Sequence, residues 1–312
     1  MADPLPLDDP RWRALATDGL SIDRVLDGLR RLYRDRRFGR AGFDLTAGTL
    51  HQSTVYASAL AVTPHVVAVA EELPTTVEAA EAWIALGALV AAFSRAGERV
   101  EGEVPDGVLA GFRASLPAAE RCAVACLAEA TLDGEQTAAL CLASLALGGH
   151  RAGRFLWETP EPPGHPLALF LRVACPRCDA ETEFLSLAEG VAPLDDLDHP
   201  PTDPDATQPD VSAPVVDASA LSPRAVEAWS PIARRLGERA EVALPAAFTE
   251  AARTVVAMGV PREATERAAL TLPAVMVARR GDAVWARCLA RLASEMRCPS
   301  CREVWPAVEG VA

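Results

Sequence analysis

Two short motifs carry the strongest chemical signal in the sequence. The segments CPRC (175–178) and CPSC (298–301) share one cysteine spacing. Two thiolates on such a tight turn can face one tetrahedral ion, and two turns complete a four-thiolate zinc site with Zn–S distances of about 2.3 Å. Because each turn supplies half of a site, we predict that one zinc ion is bound by all four of these cysteines: Cys175, Cys178, Cys298 and Cys301.

The separation of the two motifs leaves several interpretations open. An ordinary zinc ribbon places its turns about 15 to 20 residues apart, whereas about 120 residues separate these motifs. The alternatives are a structural zinc clasp between two halves of the chain, a dithiol redox motif, and either metal-free cysteines or zinc bound between two chains. A closed set of four thiolates leaves no open coordination position, and strand-like patterns follow the turns where a thioredoxin-type CxxC would open a helix. These two features favour the clasp.

The motifs resemble the CPxC knuckles of zinc-ribbon proteins. Such knuckles usually carry glycine after the second cysteine, where the backbone adopts a positive φ. Asp179 and Arg302 occupy these positions. Aspartate accepts a positive φ tolerably and arginine less readily, so we expect the second turn to reach the knuckle conformation less easily.

The rest of the chain carries no motif of an active site. Lysine is absent, which excludes a P-loop, Schiff-base chemistry and a kinase-type lysine, and the sequence contains no HExxH, GxSxG or GxGxxG. The other four cysteines lie in apolar helical runs and are interpreted as packing residues: Cys122, Cys126, Cys141 and Cys288.

Composition and net charge limit the classes to which the protein can belong. The 312 residues are 50% hydrophobic and 23% charged, which is typical of a folded chain. The formal net charge is −13, and residues 178–223 hold eleven acidic side chains and no arginine, so nucleic acid is not expected as a partner. The sequence shows neither a signal peptide nor an obvious membrane-spanning run, so we predict a cytoplasmic protein with reduced cysteines.

The elements that position the motifs are predicted to be mainly helical. We expect a helix capped by Ser21, a helical region from Leu50 that breaks before Pro64, and a long helix that starts at a Thr75/Glu78 capping box and stops at Gly97. Further helices are predicted over 105–115, 117–132 and 135–147. Alternating apolar residues over 167–173 and 182–187 predict strands on both sides of the first CPxC turn.

The domain organisation follows from these patterns. We predict a helical-repeat domain (1–189) that ends in the first knuckle, a disordered linker rich in acidic residues and proline (190–220), and a second helical unit (221–312) that ends in the second knuckle. Helices are expected from Ser222 onward and over 245–258, 261–280 and 282–295. Because EGVA follows both CPxC turns, the two units are interpreted as a duplication.

A family resemblance supplies a functional hypothesis. The segments LPLDDPRWRAL (5–15) and HQSTVYASALAVTPHVVAVAEELP (51–74), with the Ala/Leu-rich helix to about residue 95, alternate helix, break and helix. In this respect the first half resembles bacterial HEAT-like helical-repeat proteins, several of which look like immunity or adaptor proteins. The resemblance implies an α-solenoid scaffold with a protein-binding groove.

We therefore expect a mainly α, solenoid-like fold with small β-hairpin zinc knuckles, acting as a non-enzymatic scaffold or adaptor for another protein. Two alternatives stay open: a zinc- or thiol-dependent enzyme or redox switch that uses the CPxC cysteines, and a zinc-ribbon nucleic-acid regulator. Whether the protein also acts on a small molecule is left open by the sequence.

Overall fold

The computed structural model describes residues 4–15, 17, 21–38, 45, 50–51, 54–73, 75–101, 104–105, 107–150, 153, 169–187, 190–193, 295–298 and 300–306. This part of the chain is mostly helical, which confirms the mainly α prediction. A short 3₁₀ helix (Pro10–Ala14) precedes five α-helices: α1 (Ile22–Asp35), α2 (Ala57–Ala70), α3 (Val77–Glu101), α4 (Val108–Glu129) and α5 (Gly134–Leu147).

Short antiparallel strands complete the described architecture. Strands β1 (Leu50–His51) and β2 (Thr54–Val55) form a small hairpin before α2. Strands β3 (Leu169–Ala174), β4 (Glu181–Leu187) and β5 (Gly190–Pro193) form one sheet in the order β3-β4-β5. Strand β6 (Glu295–Arg297) pairs with β7 (Val304–Pro306). Each CPxC motif is therefore the turn of a hairpin.

The hydrophobic core lies between the helices. Helix α3 packs most extensively against α5, and α2 packs most extensively against α4. The largest side chains with almost no exposed surface come from the 3₁₀ helix, from the helices and from Leu45: Trp12, Leu29, Leu32, Leu45, Leu60, Trp83, Phe112 and Leu127. Burial of apolar surface on this scale is the main favourable contribution to the stability of the helical part.

Three predicted helix breaks do not occur. Helix α2 continues through Pro64, α4 continues through Pro117, and α3 continues past Gly97 to Glu101. An interior proline removes one backbone hydrogen bond, and an interior glycine costs about 1 kcal/mol relative to alanine. In α2, where nearly every residue is buried, the packed apolar side chains outweigh that cost.

Two helix starts also differ from the prediction. Residues 50–51 and 54–55 form the paired strands β1 and β2 rather than the start of a helix. The Thr75 hydroxyl donates to Oε2 of Glu129 at 2.8 Å, and it is Thr76 whose Oγ1 accepts the N–H of Ala79 at 3.2 Å. Thr75 therefore ties the start of α3 to the end of α4 instead of capping α3.

Other boundaries agree with the sequence patterns. Helix α1 begins directly after Ser21, and α5 ends at Leu147, directly before the Gly148-Gly149 pair. Asp133 and Gln136 form a reciprocal capping box at the start of α5, with N–H to oxygen distances of 2.7 and 3.2 Å.

The predicted linker does not begin at residue 190. Residues 190–193 form β5, which pairs with β4 in a register that sets Leu187 opposite Gly190. A strand this short is too brief for an alternating pattern to be visible in the sequence. The remainder of the predicted linker (194–220) and residues 222–294 of the predicted helices lie outside the described residues. Glu295, predicted as the last residue of the helix over 282–295, instead begins strand β6, where it pairs with Pro306.

A buried histidine holds the N-terminal segment against the helices. His65 on α2 is 3% exposed; its Nε2 lies 2.8 Å from the Leu5 carbonyl oxygen and its Nδ1 lies 2.9 Å from the Tyr33 hydroxyl. Because a carbonyl can only accept, Nε2 carries the proton, and the Tyr33 hydroxyl donates to Nδ1 of the neutral ring. Burial lowers the pKa of His65 to about 4, against the opposing effect of the Leu5 hydrogen bond.

One described segment is long and apolar enough to cross a membrane by length and composition alone. It covers Val77–Ser94 of α3, and 67% of it is buried inside the protein. A core helix of a soluble protein meets the same criterion, so this segment does not by itself indicate a membrane location.

Two glycine-to-alanine substitutions are expected to change stability in opposite directions. A Cβ added at Gly87 on α3 would lie 2.5 Å from Cα of Ala143 on α5, so the two backbones must move apart. We expect Gly87→Ala to destabilise the protein by about 2 kcal/mol or more. At Gly111 on α4 the nearest atom would be Cγ of Pro64 at 3.9 Å, so Gly111→Ala should stabilise by about 0.5–1 kcal/mol. Urea unfolding of both variants measures the difference, and equal effects would contradict the close α3–α5 contact.

The buried His65 ring predicts a loss of stability at acidic pH. Its folded-state pKa of about 4 lies below the ordinary histidine pKa of 6.5, so the unfolded chain gains a proton that the folded chain excludes. Stability present above pH 6.5 should fall by about 3 kcal/mol as the pH decreases towards 4. The His65→Gln variant keeps a donor for Leu5 but does not titrate, so it should lose about 3 kcal/mol less. Free energies of unfolding at about pH 7 and pH 4 test this, and equal losses in the two proteins would exclude it.

Candidate metal centre

The first CPxC turn is positioned by the last register pair of β3 and β4, which sets Ala174 opposite Glu181. The N–H of Cys175 donates to the carbonyl of Ala180 at 3.1 Å, and the N–H of Asp179 donates to the carbonyl of Cys175 at 2.9 Å. These two hydrogen bonds close the turn and bring the side chains of Cys175 and Cys178 to the same end of the hairpin.

The second CPxC turn repeats this geometry bond for bond. The N–H of Cys298 donates to the carbonyl of Glu303 at 2.7 Å, and the N–H of Arg302 donates to the carbonyl of Cys298 at 3.0 Å. The flanking register pair is Arg297 and Val304. We therefore call both turns knuckles: the first knuckle is 175–180 and the second is 298–303.

Both knuckles place a non-glycine residue in the left-handed region. Asp179 has φ 54° and Arg302 has φ 64°, at the position where zinc-ribbon knuckles usually carry glycine. The second turn thus reaches the same conformation as the first. A side chain in this region costs on the order of 1 kcal/mol, less for aspartate than for arginine.

The two knuckles bring all four predicted cysteines together. Their four Sγ atoms lie within 4.8 Å of one another. The two short contacts run between the knuckles, with 3.6 Å from Cys175 to Cys301 and 3.8 Å from Cys178 to Cys298. A tetrahedron with metal–sulfur bonds of about 2.3 Å has edges of about 3.8 Å, whereas a disulfide would bring two sulfurs to about 2.05 Å. The four free thiols could therefore hold a metal ion, and their chemistry fits a thiolate-binding one.

The four sulfurs differ in exposure. Cys175 and Cys298, which begin the two knuckles, are buried, whereas Cys178 is exposed and Cys301 is half-buried. The N–H of Cys301 also points at Sγ of Cys298, at 3.4 Å. Backbone donors of this kind fix the orientation of a ligand and stabilise its thiolate.

Cys298 and Cys178 differ in how readily their thiols lose a proton. Burial raises the pKa of Cys298, but the N–H groups of Cys301 and Ser300 and the neighbouring thiols more than offset this and lower it to about 7. The N–H of Ala180 favours the thiolate of Cys178, but desolvation and the other three thiols outweigh it and raise the pKa to about 12. One negative charge therefore disfavours the next, whereas a bound divalent cation would favour the thiolate form of all four cysteines.

An ion pair joins the knuckles beside the sulfurs. Nη1 of Arg177 lies 2.7 Å from Oε2 of Glu303, and the two side chains are 67% and 40% exposed. No sequence motif singled out Arg177 or Glu303 as a functional residue. The available signal was one basic residue inside the first motif and one acidic residue just after the second.

The other described cysteines agree with a packing role. Cys126 and Cys141 are buried and Cys122 is half-buried. Burial raises the pKa of Cys122 and of Cys126 to about 11, so these thiols stay protonated at neutral pH. Cys288 lies outside the described residues.

No protein family, curated protein or solved structure matches the chain. The chemistry of the centre is therefore derived from its own cysteines and the two hairpins that hold them.

Relief of the positive φ at Arg302 should strengthen metal binding. Glycine adopts φ 64° without the steric cost of a Cβ, so Arg302→Gly should increase the affinity for Zn²⁺ about 2- to 5-fold. Ser300→Gly is the matched control, because it adds a glycine to the same turn at another position. Competition with a chromogenic chelator measures both affinities. A gain in the control that equals the gain in Arg302→Gly would show that backbone strain at Arg302 is not the cause.

Proposed function

We propose that this protein is a non-enzymatic helical scaffold or adaptor in which the two knuckles bind one structural zinc ion. The observation that carries the proposal is the close approach of four thiols from two hairpins about 120 residues apart in sequence. Neither hairpin holds more than two of these ligands, so the ion would tie the two segments to each other.

The donor set supports zinc as the metal. Four soft thiolates in tetrahedral arrangement favour zinc or iron over magnesium, calcium or manganese. A four-thiolate zinc site is closed, leaves no position for a substrate and supplies folding energy. The two buried ligands, Cys175 and Cys298, also suit a structural site, because half of the cluster is shielded from solvent.

The charge of the sequence between the two knuckles supports a structural role for the shared zinc site. Eleven acidic side chains and no arginine lie between Cys178 and Pro223, and like charges this close in sequence repel one another. A metal that joins both knuckles would hold the second half of the chain against the first in spite of this repulsion.

The packing of the helices supports the scaffold part of the proposal. Within the described residues each of the helices from α2 to α5 packs against its neighbours, and the most extensive contacts join α2 to α4 and α3 to α5. Contact with both the next helix and the next but one is typical of stacked helix pairs in α-solenoids such as HEAT-like repeats. We infer that such a stack presents a surface to another protein in the cytoplasm, as in immunity or adaptor proteins.

Native mass spectrometry with elemental analysis tests the metal. Protein purified without added metal should carry one zinc per chain. Two metals per chain would mean further ligands and contradict a shared site, and iron would change the identity of the cofactor. A metal-free chain about two daltons lighter than its sequence would favour the redox alternative, because a disulfide would then replace the metal.

Single substitutions in the two knuckles should have matching effects. Cys178→Ser and Cys301→Ser are each expected to abolish stoichiometric zinc binding and to destabilise the protein by similar amounts, because each opens the same site. Cys122→Ser is the matched control: this half-buried cysteine lies on α4 outside the cluster, and the variant should retain one zinc. Zinc content and thermal unfolding report the outcome. A large difference between the two knuckle variants would show that they do not share one ion.

A further inference from the structure

The two knuckles are related by an approximate twofold arrangement. The first cysteine of each knuckle contacts the second cysteine of the other, at 3.6 Å for Cys175 and Cys301 and 3.8 Å for Cys298 and Cys178. The backbone hydrogen bonds inside the two turns also correspond. Each side-chain position at the junction therefore occurs twice, once in each knuckle.

The ion pair breaks this symmetry. Arg177 precedes the second cysteine of the first knuckle, and Glu303 is the second residue after the last cysteine of the second knuckle. They meet at 2.7 Å. The symmetry-related positions hold Ser300 and Ala180, which carry no charge. The pair on one side of the junction is thus oppositely charged, whereas the two corresponding positions on the other side carry no charge.

This pattern discriminates between possible knuckle pairs. Two first knuckles from two chains would set each Arg177 against the Ala180 of the other copy, with no ion pair. Two second knuckles would set each Glu303 against the Ser300 of the other copy, which leaves both carboxylates unpaired beside four anionic sulfurs. Of these three pairings, only that of the first knuckle with the second brings Arg177 and Glu303 together.

We propose that Arg177 and Glu303 are the residues that specify pairing of the first knuckle with the second, against pairing of like knuckles from two chains. The inference deepens the proposed function and rests on it for the metal. Arg177 also carries a positive charge next to Cys175 and Cys301, whose thiolates would raise its pKa further. It therefore compensates part of the negative charge of a four-thiolate centre as well as binding Glu303.

A charge-reversal cycle in the full-length chain tests the proposal. Zinc affinity is measured by chelator competition in wild type, Arg177→Gln, Arg177→Glu and the double variant Arg177→Glu/Glu303→Arg. An exposed pair of this kind predicts that Arg177→Gln weakens zinc binding about 3-fold, and that Arg177→Glu, which opposes two carboxylates, weakens it about 10-fold at low salt. The double variant should return to within about 3-fold of wild type.

If Arg177 and Glu303 each stabilised the fold without binding the other, the double variant would not recover the zinc affinity. If the double variant stays about as weak as Arg177→Glu, or if Arg177→Glu changes the affinity less than about 2-fold, the proposal is overturned. Ser300→Glu provides a control for added negative charge at the symmetry-related position, which faces the neutral Ala180. Its effect should not be removed by Glu303→Arg to the extent seen for Arg177→Glu.

A measurement on the metal-free protein tests the pairing of the knuckles independently of zinc binding. The chelator-treated proteins are oxidised with diamide at high protein concentration, and the disulfide-linked peptides are mapped by mass spectrometry. Wild type and the double variant should join residues 175–178 to residues 298–301, whereas Arg177→Glu should shift links towards like knuckles of two chains. An unchanged distribution overturns the pairing proposal. Failure of wild type to bind zinc would instead refute the proposed function and leave this readout decisive.

Discussion

The mutual approach of four thiols is the constraint that relates the two hairpins to each other. Each knuckle closes by its own pair of backbone hydrogen bonds, so its shape is a local property of a short sequence. The position of one knuckle against the other is not local, because within the described part of the chain they are joined by sulfur contacts of 3.6 and 3.8 Å and an exposed ion pair. Thiols alone attract one another weakly. A cation that neutralises their thiolates would supply a strong attraction between the two knuckles. This attraction is the physical basis of the proposed clasp.

The sequence was informative about the knuckles because their determinants are short-range. CPxC spacing identified which cysteines could share an ion, and the alternation over 167–173 and 182–187 indicated the flanking strands, which the structure sets at 169–174 and 181–187. Spacing could not show that two turns about 120 residues apart would meet. It also could not show that Arg177 faces Glu303, because the partner of a charged side chain across a junction depends on tertiary structure.

The helical part shows where local rules give way to packing. Pro64, Pro117 and Gly97 are strong local signals for a break, yet each lies inside a continuous helix. The start of α5 predicted near residue 135, in contrast, agrees with the structure, where the exposed Asp133/Gln136 capping box fixes it. At Pro64, where nearly every residue of α2 is buried, the packed apolar side chains outweigh the cost of the proline. A signal at a helix end is also overridden where a tertiary contact competes with it, as at Thr75, whose hydroxyl donates to Glu129 instead of capping α3.

The order of the knuckles along the chain has a consequence for synthesis on the ribosome. Strands β3 and β4 can pair as soon as they emerge, because the first knuckle needs only its own residues. Its companion is translated about 120 residues later, which at typical elongation rates is on the order of ten seconds. During that interval the nascent chain presents a preformed dithiol with no second dithiol in reach. Neighbouring chains on the same polysome would present the same dithiol. During this interval, pairing of knuckles between chains therefore competes most strongly with pairing within one chain.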